Sequence, residues 1–435
     1  MRILLVTGNL FPHAGGLSTH MDLLRKGLEA LGHEVRIRSF ADFTPGAKLL
    51  TRGPSWALNR VRRGWGAVWT AALRVHFLSR ILRVEAGWVD GLNVEDPMAA
   101  AAARRAGLPY VYTAHGYPTD EHVAAGRIRP GTGAHRWLLE LERAGLRHAR
   151  HVVAVDSRIA GHVRRLAGHD RVTVIPNFID AEWPQRAPSP TEARAALGIP
   201  PDAFVILCPR RLTAKNGVLY AVQALERLVA EGFGGGDTAH HQDADPAAER
   251  PGPGFAAGPA AGGPAATGET VRPLLVIVGS GEQEALVRRF VRERGLEAHC
   301  RLEGERPHAD MGYYLRAADA VVVPSVHEAG VEEATSISAL EAMAFRVPLV
   351  ASAVGGLREI VRAGETGILV PQRDPEALAR ALWTVARDRQ RAARMVEAAY
   401  RYVLQHHSHL AAARRFLQIY RHHFGAGPGK VAGTP

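Results

Sequence analysis

Short apolar runs separated by amphipathic stretches recur along the 435-residue chain. Residues 2–7 (RILLVT) read as a buried-type strand, and a Gly-rich turn follows. Met21, Leu24, Leu28 and Leu31 then recur at helical spacing, with Gly32 as the terminator. Strand character resumes over 35–40, so the first forty residues form a β-α-β unit, which winds into a parallel sheet with a right-handed crossover. Further strands are predicted at 110–113, 151–155 and 172–175, giving one doubly wound domain over residues 1–185.

A proline-rich connector follows, expected over 186–203 and ending in a short helix. A second series then repeats the architecture, with strands at 204–207, 274–278, 320–323 and 349–351 and helices at 218–229 and 282–294. This second domain covers 204–390. Within it, 25 of the 39 residues from 232 to 270 are Gly, Pro or Ala, and none is Leu, Ile or Val. Such a stretch cannot bury enough surface to offset its ordering entropy and is expected to be a disordered insertion. Residues 391–435 are read as basic C-terminal helices that pack back on the first domain and end in a frayed tail.

Charge narrows the partners without choosing among them. Lys and Arg number 54 against 43 Asp and Glu, a formal net charge of +11, which suits nucleic acid, phosphorylated ligands or an anionic membrane. Cys208 and Cys300 have neither metal-ligand nor disulfide-framework spacing, so reduced thiols and a cytoplasmic location are expected. The N-terminal run reads as a strand rather than a secretion signal, and no 18-residue apolar stretch predicts a membrane span.

Three segments carry candidate chemistry. Gly15 and Gly16 lie between a strand end and a helix start, where backbone amides can meet a phosphate or simply make a tight turn. Neither GxGxxG nor GxxxxGK[ST] occurs, and Gly279-Ser280-Gly281 lacks a third glycine. CPRRLTAKNG places Arg210, Arg211 and Lys215 after a strand and before Gly217, where fixed cations can neutralise charge on a departing diphosphate or form a solvated basic loop. In EATSISALEAMAFRVPLV, Glu333 and Glu341 stand eight residues apart around a helix start, so two carboxylates can grip different hydroxyl groups of one ligand.

These pieces together resemble glycosyltransferase family 4, the retaining enzymes of the GT-B type with two Rossmann-like halves. The matches run nearly the whole chain in order: the Gly15-Gly16 turn, YTAHG around His115, VIPNFID, RRLTAKNG, VGSG at Gly279, EATSISALEAMA, GG before Glu359, and GETGILV with Asp374 beyond. The resemblance implies transfer of a glycosyl group from a nucleotide sugar, with a UDP-sugar the expected donor, and no metal or other cofactor. It places Arg211 and Lys215 on the donor diphosphate, Glu341 on the ribose hydroxyls and Glu333 on the donor sugar. The backbone of Ala334, Thr335, Ser336 and Ile337 would line the sugar and phosphates, with Arg210 and Gly279 nearby. Gly15 and Gly16 would serve the phosphate from the N-terminal half, and His115 would stand near sugar and acceptor.

Two departures mark this chain. The family's second cation falls at position 216, which is Asn216, while the lysine is Lys215. Its Gly-Phe-Gly is replaced by Ala334-Thr335-Ser336, and Glu328 precedes Glu341 by thirteen residues rather than eight. The acceptor is unspecified, with a lipid-linked or cell-envelope glycan precursor in view. The rivals are a nucleotide-sugar epimerase of similar architecture and a basic nucleic-acid-binding protein; the latter lacks any recognition module, and no nucleic acid is expected.

Between Phe43 and Val84 there are eight Lys or Arg and no Asp or Glu, with Trp56, Trp65, Trp69 and Phe77 interleaved. Residues 46–83 therefore read either as a peripheral anionic-membrane contact on the inner face or as ordinary helices with solvated arginines.

Overall fold

The computed structural model describes residues 1–13, 16–230, 272–328 and 335–425; the stretch 232–270, expected to be disordered, lies outside the described residues. The chain divides into two compact units, Met1–Asp180 with Gln405–Pro435, and Ala181–Leu404. Each is built on a six-stranded parallel sheet, as the paired β-α-β series predicts.

In the first unit β1 (Arg2–Val6), β2 (Glu34–Arg38), β3 (Gly91–Val94), β4 (Val111–Ala114), β5 (His151–Ala154) and β6 (Val172–Val174) take the order β2-β1-β3-β4-β5-β6. The two-residue alternation of a strand sends Leu4 and Val6 to one face, with Phe40, Leu78 and Tyr110. Ile3 and Leu5 go to the other, with Met21, Leu24, Leu28 and Phe416. Helices cover both faces, so the strands read as nearly continuous apolar runs. β3 escaped the sequence reading because Asn93 interrupts its run; the buried amide donates to Glu95 (2.6 Å) and to Thr113 Oγ1 (2.9 Å). β2 stops at Arg38, short of the expected 40, because Ser39 and Asp42 form a capping box over the next turn.

In the second unit β7 (Ala203–Cys208), β8 (Arg272–Val278), β9 (Cys300–Gly304), β10 (Ala320–Val323), β11 (Leu349–Ser352) and β12 (Ile368–Val370) take the order β12-β11-β10-β7-β8-β9. The two strands not anticipated, β9 and β12, are the sheet's edges. Half-exposed edge strands need no long apolar run, and β9 carries Arg301 and Glu303.

Domain limits differ from the sequence expectation at both crossings. The connector 186–203 is part of the second unit, where Arg194 pairs with Asp319 (2.6 Å) and donates to the Ala203 carbonyl (3.1 Å). The C-terminal helices divide between the units. Helix Arg389–His406 gives Ala392 and Met395 to the second core, whereas helix His409–Phe424 packs along helix Gly16–Ala30. That approach is close: a Cβ on Gly27 would lie 2.5 Å from the His409 carbonyl oxygen. Two backbone bonds fix the returning chain, Ile179 N–H to His407 O and His409 N–H to Ile179 O, both 2.9 Å.

Each sheet has one place where the chain reverses its direction of winding, between β1 and β3 and between β7 and β10. At such a point the loops leaving the carboxyl ends diverge and open a crevice, where ligands of this architecture bind. Among the described residues no helix is long and apolar enough to cross a membrane.

Burial holds several histidines neutral. His407 is 2 % exposed with Nδ1 3.1 Å from the Asn177 carbonyl, and burial pushes it down to about 4. The unfolded chain takes up that proton below about pH 6.5, so the stability contributed by the neutral form is complete above that pH and lost as pH falls toward 4. His407→Gln should therefore reduce the acid slope of unfolding free energy between pH 6.5 and 4 by up to about 1.4 kcal/mol per pH unit, measured by urea titration. An unchanged slope would contradict the buried, neutral assignment.

Candidate functional site

At the switch point of the second sheet, the fully buried β7 delivers Pro209 and Arg210 into the crevice. Arg210 does not face outward. Its guanidinium donates to Asn216 Oδ1 (2.7 Å), Ser325 Oγ (3.0 Å) and Ser336 Oγ (3.4 Å). It thereby ties the loop after β7 to the loop after β10 and to the start of helix Ile337–Ala344. Asn216 completes the brace by donating from Nδ2 to the Arg211 carbonyl (2.7 Å). Two of the residues expected to bind a donor, Arg210 and Asn216, are thus engaged with each other inside the protein.

Their neighbours are placed differently. Arg211 is exposed and Lys215 half-buried, and neither side chain has a hydrogen-bond or ion-pair partner among the described residues. The Lys215 carbonyl accepts the Val326 amide (2.8 Å), which anchors the backbone while leaving the ammonium uncommitted. Of the two neighbours Lys215 and Asn216, the amide is engaged internally and the ammonium is not.

Glycines allow these loops to approach. Gly217 has φ +63°, and a Cβ there would collide with the Pro324 carbonyl oxygen; one on Gly279 (φ +147°) would collide with the Arg210 carbonyl. Leu212 N–H bonds the Ser280 carbonyl (3.0 Å), so the GSG turn after β8 is packed backbone to backbone against the β7 loop. Close packing accounts for Gly279 in this structure.

Helix Ile337–Ala344 begins beside this loop, with Ser338 Oγ donating to the Pro209 carbonyl (3.0 Å). Thr335 and Ser336 are buried at its start. The first-turn amides lack intrahelical acceptors, and the helix dipole adds positive potential there. Glu341 is buried one turn on, its Oε1 2.6 Å from His308 Nε2. His308 packs on Trp183 at 4.6 Å between ring centroids. Sequence reading missed His308 and Trp183, which belong to no spaced motif and reach Glu341 only through the fold. Glu333 and Ala334 lie outside the described residues. Glu328, the rival carboxylate, is paired with Arg373 (2.8 Å), and Asp374 caps helix Pro375–Arg387 through the Ala377 amide (2.8 Å).

The first sheet's switch point carries a second constellation. Asp96 accepts from Thr7 Oγ1 (2.6 Å) and the Gly8 amide (2.7 Å) while its other oxygen caps helix Pro97–Ala106. Arg74 donates to the Gly8 carbonyl (3.1 Å), and burial lowers its pKa from the ordinary value. His115 leaves β4 with Nε2 2.7 Å from Glu95 Oε2; the Glu95 side chain is fully buried, its other oxygen held by Asn93. His20 meets the His115 ring edge-on at 4.6 Å, and burial, then His115, hold it well below the usual histidine range. A cavity of about 840 Å³ opens over this group, lined by Asn9, Arg74, Glu95, His115, Glu121 and Arg127 among others. Gly16 opens helix Gly16–Ala30, and no described atom lies within 4 Å of the point a side-chain methyl would occupy, so packing does not dictate that glycine; Gly15 lies outside the described residues.

His20, Glu95 and His115 are the one group among the described residues whose donor atoms, all within 4.8 Å of one another, could surround a metal. Ligands about 2.1 Å from a tetrahedral ion are about 3.4 Å apart. The 2.7 Å contact between Glu95 and His115 is instead that of a direct hydrogen bond. NVEDP, an apolar strand end before a proline-capped helix, was the available signal for Glu95 and Asp96.

Gly217→Ala should cost at least about 2 kcal/mol, since it combines a left-handed backbone with a collision against main chain. Gly16→Ala should leave stability within about 0.5 kcal/mol. Parallel urea titrations check both, and equal effects would contradict the packing described.

The comparisons with known proteins agree with this geometry. The family described as Glycosyltransferase Family 4 matches residues 14–183, and that described as Glycosyl transferases group 1 matches 266–402. A D-inositol 3-phosphate glycosyltransferase of Frankia alni is 29% identical, over 96% of this chain and 97% of its own. Among solved structures, sucrose-phosphate synthase from Thermosynechococcus elongatus superposes with a TM-score of 0.67 at 21% identity, covering 98% of this chain and 99% of that one. Anabaena HepE, solved in complex with UDP and glucose, gives 0.65 at 18% identity, covering 96% and 99%. With both sheets, their switch points and both family matches in place, the chain belongs to glycosyltransferase family 4 and has the two Rossmann-like halves of the GT-B fold.

Proposed function

We propose that this glycosyltransferase takes its sugar from a nucleotide-sugar donor, a UDP-sugar, and transfers it with retention of anomeric configuration, without a metal, to a hydroxyl of a lipid-linked or cell-envelope glycan precursor. The reading rests on one observation above the others: Arg211 and Lys215 are uncommitted cations on a loop whose neighbours, Arg210 and Asn216, are internally engaged. A departing nucleoside diphosphate gains negative charge as the anomeric bond breaks, and preorganised cations stabilise that charge more in the transition state than in the ground state. The first-turn amides of helix Ile337–Ala344 add to the same field. Glu341 keeps one oxygen on His308 and offers the other to the ribose hydroxyls. HepE, which shares the fold, was solved with UDP and glucose, which supports the choice of donor.

The acceptor hydroxyl attacks from the face the diphosphate leaves, and its proton passes to the departing phosphate oxygen, so no covalent enzyme intermediate is needed. His115 serves the acceptor at the first unit's own cavity. We assign its Nε2–H to Glu95, which leaves Nδ1 for a substrate hydroxyl. Glu95 acts here as a positioning residue. The cavity beside them is larger than one sugar ring requires, which suits an extended acceptor.

A thermal-shift panel of UDP-, GDP- and ADP-sugars tests the donor, because a ligand that binds the folded state raises its apparent stability. The largest shift should come from a UDP-sugar, and no shift with any of them would overturn the reading. Arg211→Ala should lower kcat by two or more orders of magnitude with an unchanged melting temperature, as removal of a charge-stabilising donor does. Near-normal turnover would remove Arg211 from the leaving-group role. Glu95→Gln should lower kcat by one to two orders of magnitude while leaving donor affinity unchanged, measured by titration calorimetry with the nucleotide sugar; equal losses in both would show a merely structural residue.

A further inference from the structure

The acid-free stretch from Phe43 to Val84 folds as two packed helices, Pro45–Val61 and Trp65–Glu85, and the fold sorts its aromatic residues. Trp65 packs against the cluster of Val68, Ile128 and Leu138, Trp69 donates to the Leu50 carbonyl (3.2 Å), and Phe77 meets Phe43. These are domain residues. Trp56 is different: it is 69% exposed, and the same helix exposes Leu49 at 73% and Leu50 at 45%. Three of the six strongly exposed large apolar side chains among the described residues therefore stand on one helix.

At 100° per residue, Leu49, Arg52, Trp56 and Arg60 fall within about a quarter of the helix circumference. Ala47, Thr51 and Leu58, on the opposite side, are the ones turned inward. Arg60 lies 5.5 Å over the Trp56 ring, and Arg62 and Arg63 are exposed just beyond the helix end. The face thus sets two exposed apolar side chains, Leu49 and Trp56, between the exposed Arg52 and Arg60, with no carboxylate on either helix before Glu85.

We propose that this face of helix Pro45–Val61 docks on an anionic lipid bilayer, lying in the plane of the interface. Leucine and tryptophan side chains gain from leaving water for the headgroup and acyl boundary, while arginines beside them reach lipid phosphates. A second copy of the chain is a poorer occupant, because two such faces carry the same charge. A nucleic acid would satisfy the arginines and leave Leu49 in water. The inference stands on the exposed face alone and is independent of the donor and of the mechanism.

Co-sedimentation of the full chain with phosphatidylcholine vesicles and with vesicles containing 30% phosphatidylglycerol, at 50 and 300 mM NaCl, tests it. Partitioning onto the anionic vesicles should exceed that onto neutral ones at least tenfold and fall with salt. The double variant Leu49→Ser/Trp56→Ser should lose tenfold or more of this binding at an unchanged melting temperature. Arg52→Gln/Arg60→Gln should lose binding chiefly at low salt. Equal partitioning onto neutral vesicles, no partitioning, or binding by the serine variant equal to that of the parent would each overturn the proposal. So would salt-sensitive binding to duplex DNA in a protein that ignores both vesicle types.

Discussion

The second unit is organised around one buried guanidinium. Three strands' worth of chain, leaving β7, β8 and β10 at their carboxyl ends, converge where the sheet changes its direction of winding. Loops there lack ladder partners and need another source of order. Arg210 supplies it by donating to Asn216, Ser325 and Ser336 at once. A planar fork with several fixed donors can do this, whereas the single ammonium of a lysine cannot reach the same geometry. With the loop backbone held, Arg211 and Lys215 are carried on an ordered segment, their side chains without a partner among the described residues.

The first unit solves the equivalent problem with an anion. Asp96 gathers Thr7, Gly8 and the start of helix Pro97–Ala106, while Glu95 beside it holds His115. Adjacent carboxylates on one strand end point to opposite tasks because successive residues of an extended chain face opposite ways. One closes the turn that the sheet needs, and the other orients a ring at the cavity. The two units thus share an architecture and differ in the group that gathers the loops at the switch point, a guanidinium in one and a carboxylate in the other.

Much of the fold was readable because a parallel sheet covered on both sides demands continuous apolar strands. β1, β4, β5, β7, β8, β10 and β11 satisfy that demand directly. The failures have a common physical origin. β3 carries a buried Asn93 whose polarity is compensated only by partners from other segments, and the edge strands β9 and β12 are exempt from full burial. Of the candidate site, the spacing of Arg211, Lys215 and Glu341 is visible along the chain as a motif. The relation of His308 to Glu341, or of Glu95 to His115, spans residues whose proximity is a product of folding.

The sequence alone determined the class of architecture, the family and the identity of the charged residues, since hydrophobic periodicity and motif order are local properties of the chain. It could not decide which of two neighbouring residues is committed: Arg210 and Arg211 are identical in type, and only the packing of three loops turns one inward. Nor could it sort the tryptophans of the basic stretch, because Trp56 and Trp65 differ in what lies against them rather than in composition. Burial and partnership depend on contacts between distant segments, and those exist only once the tertiary structure has formed.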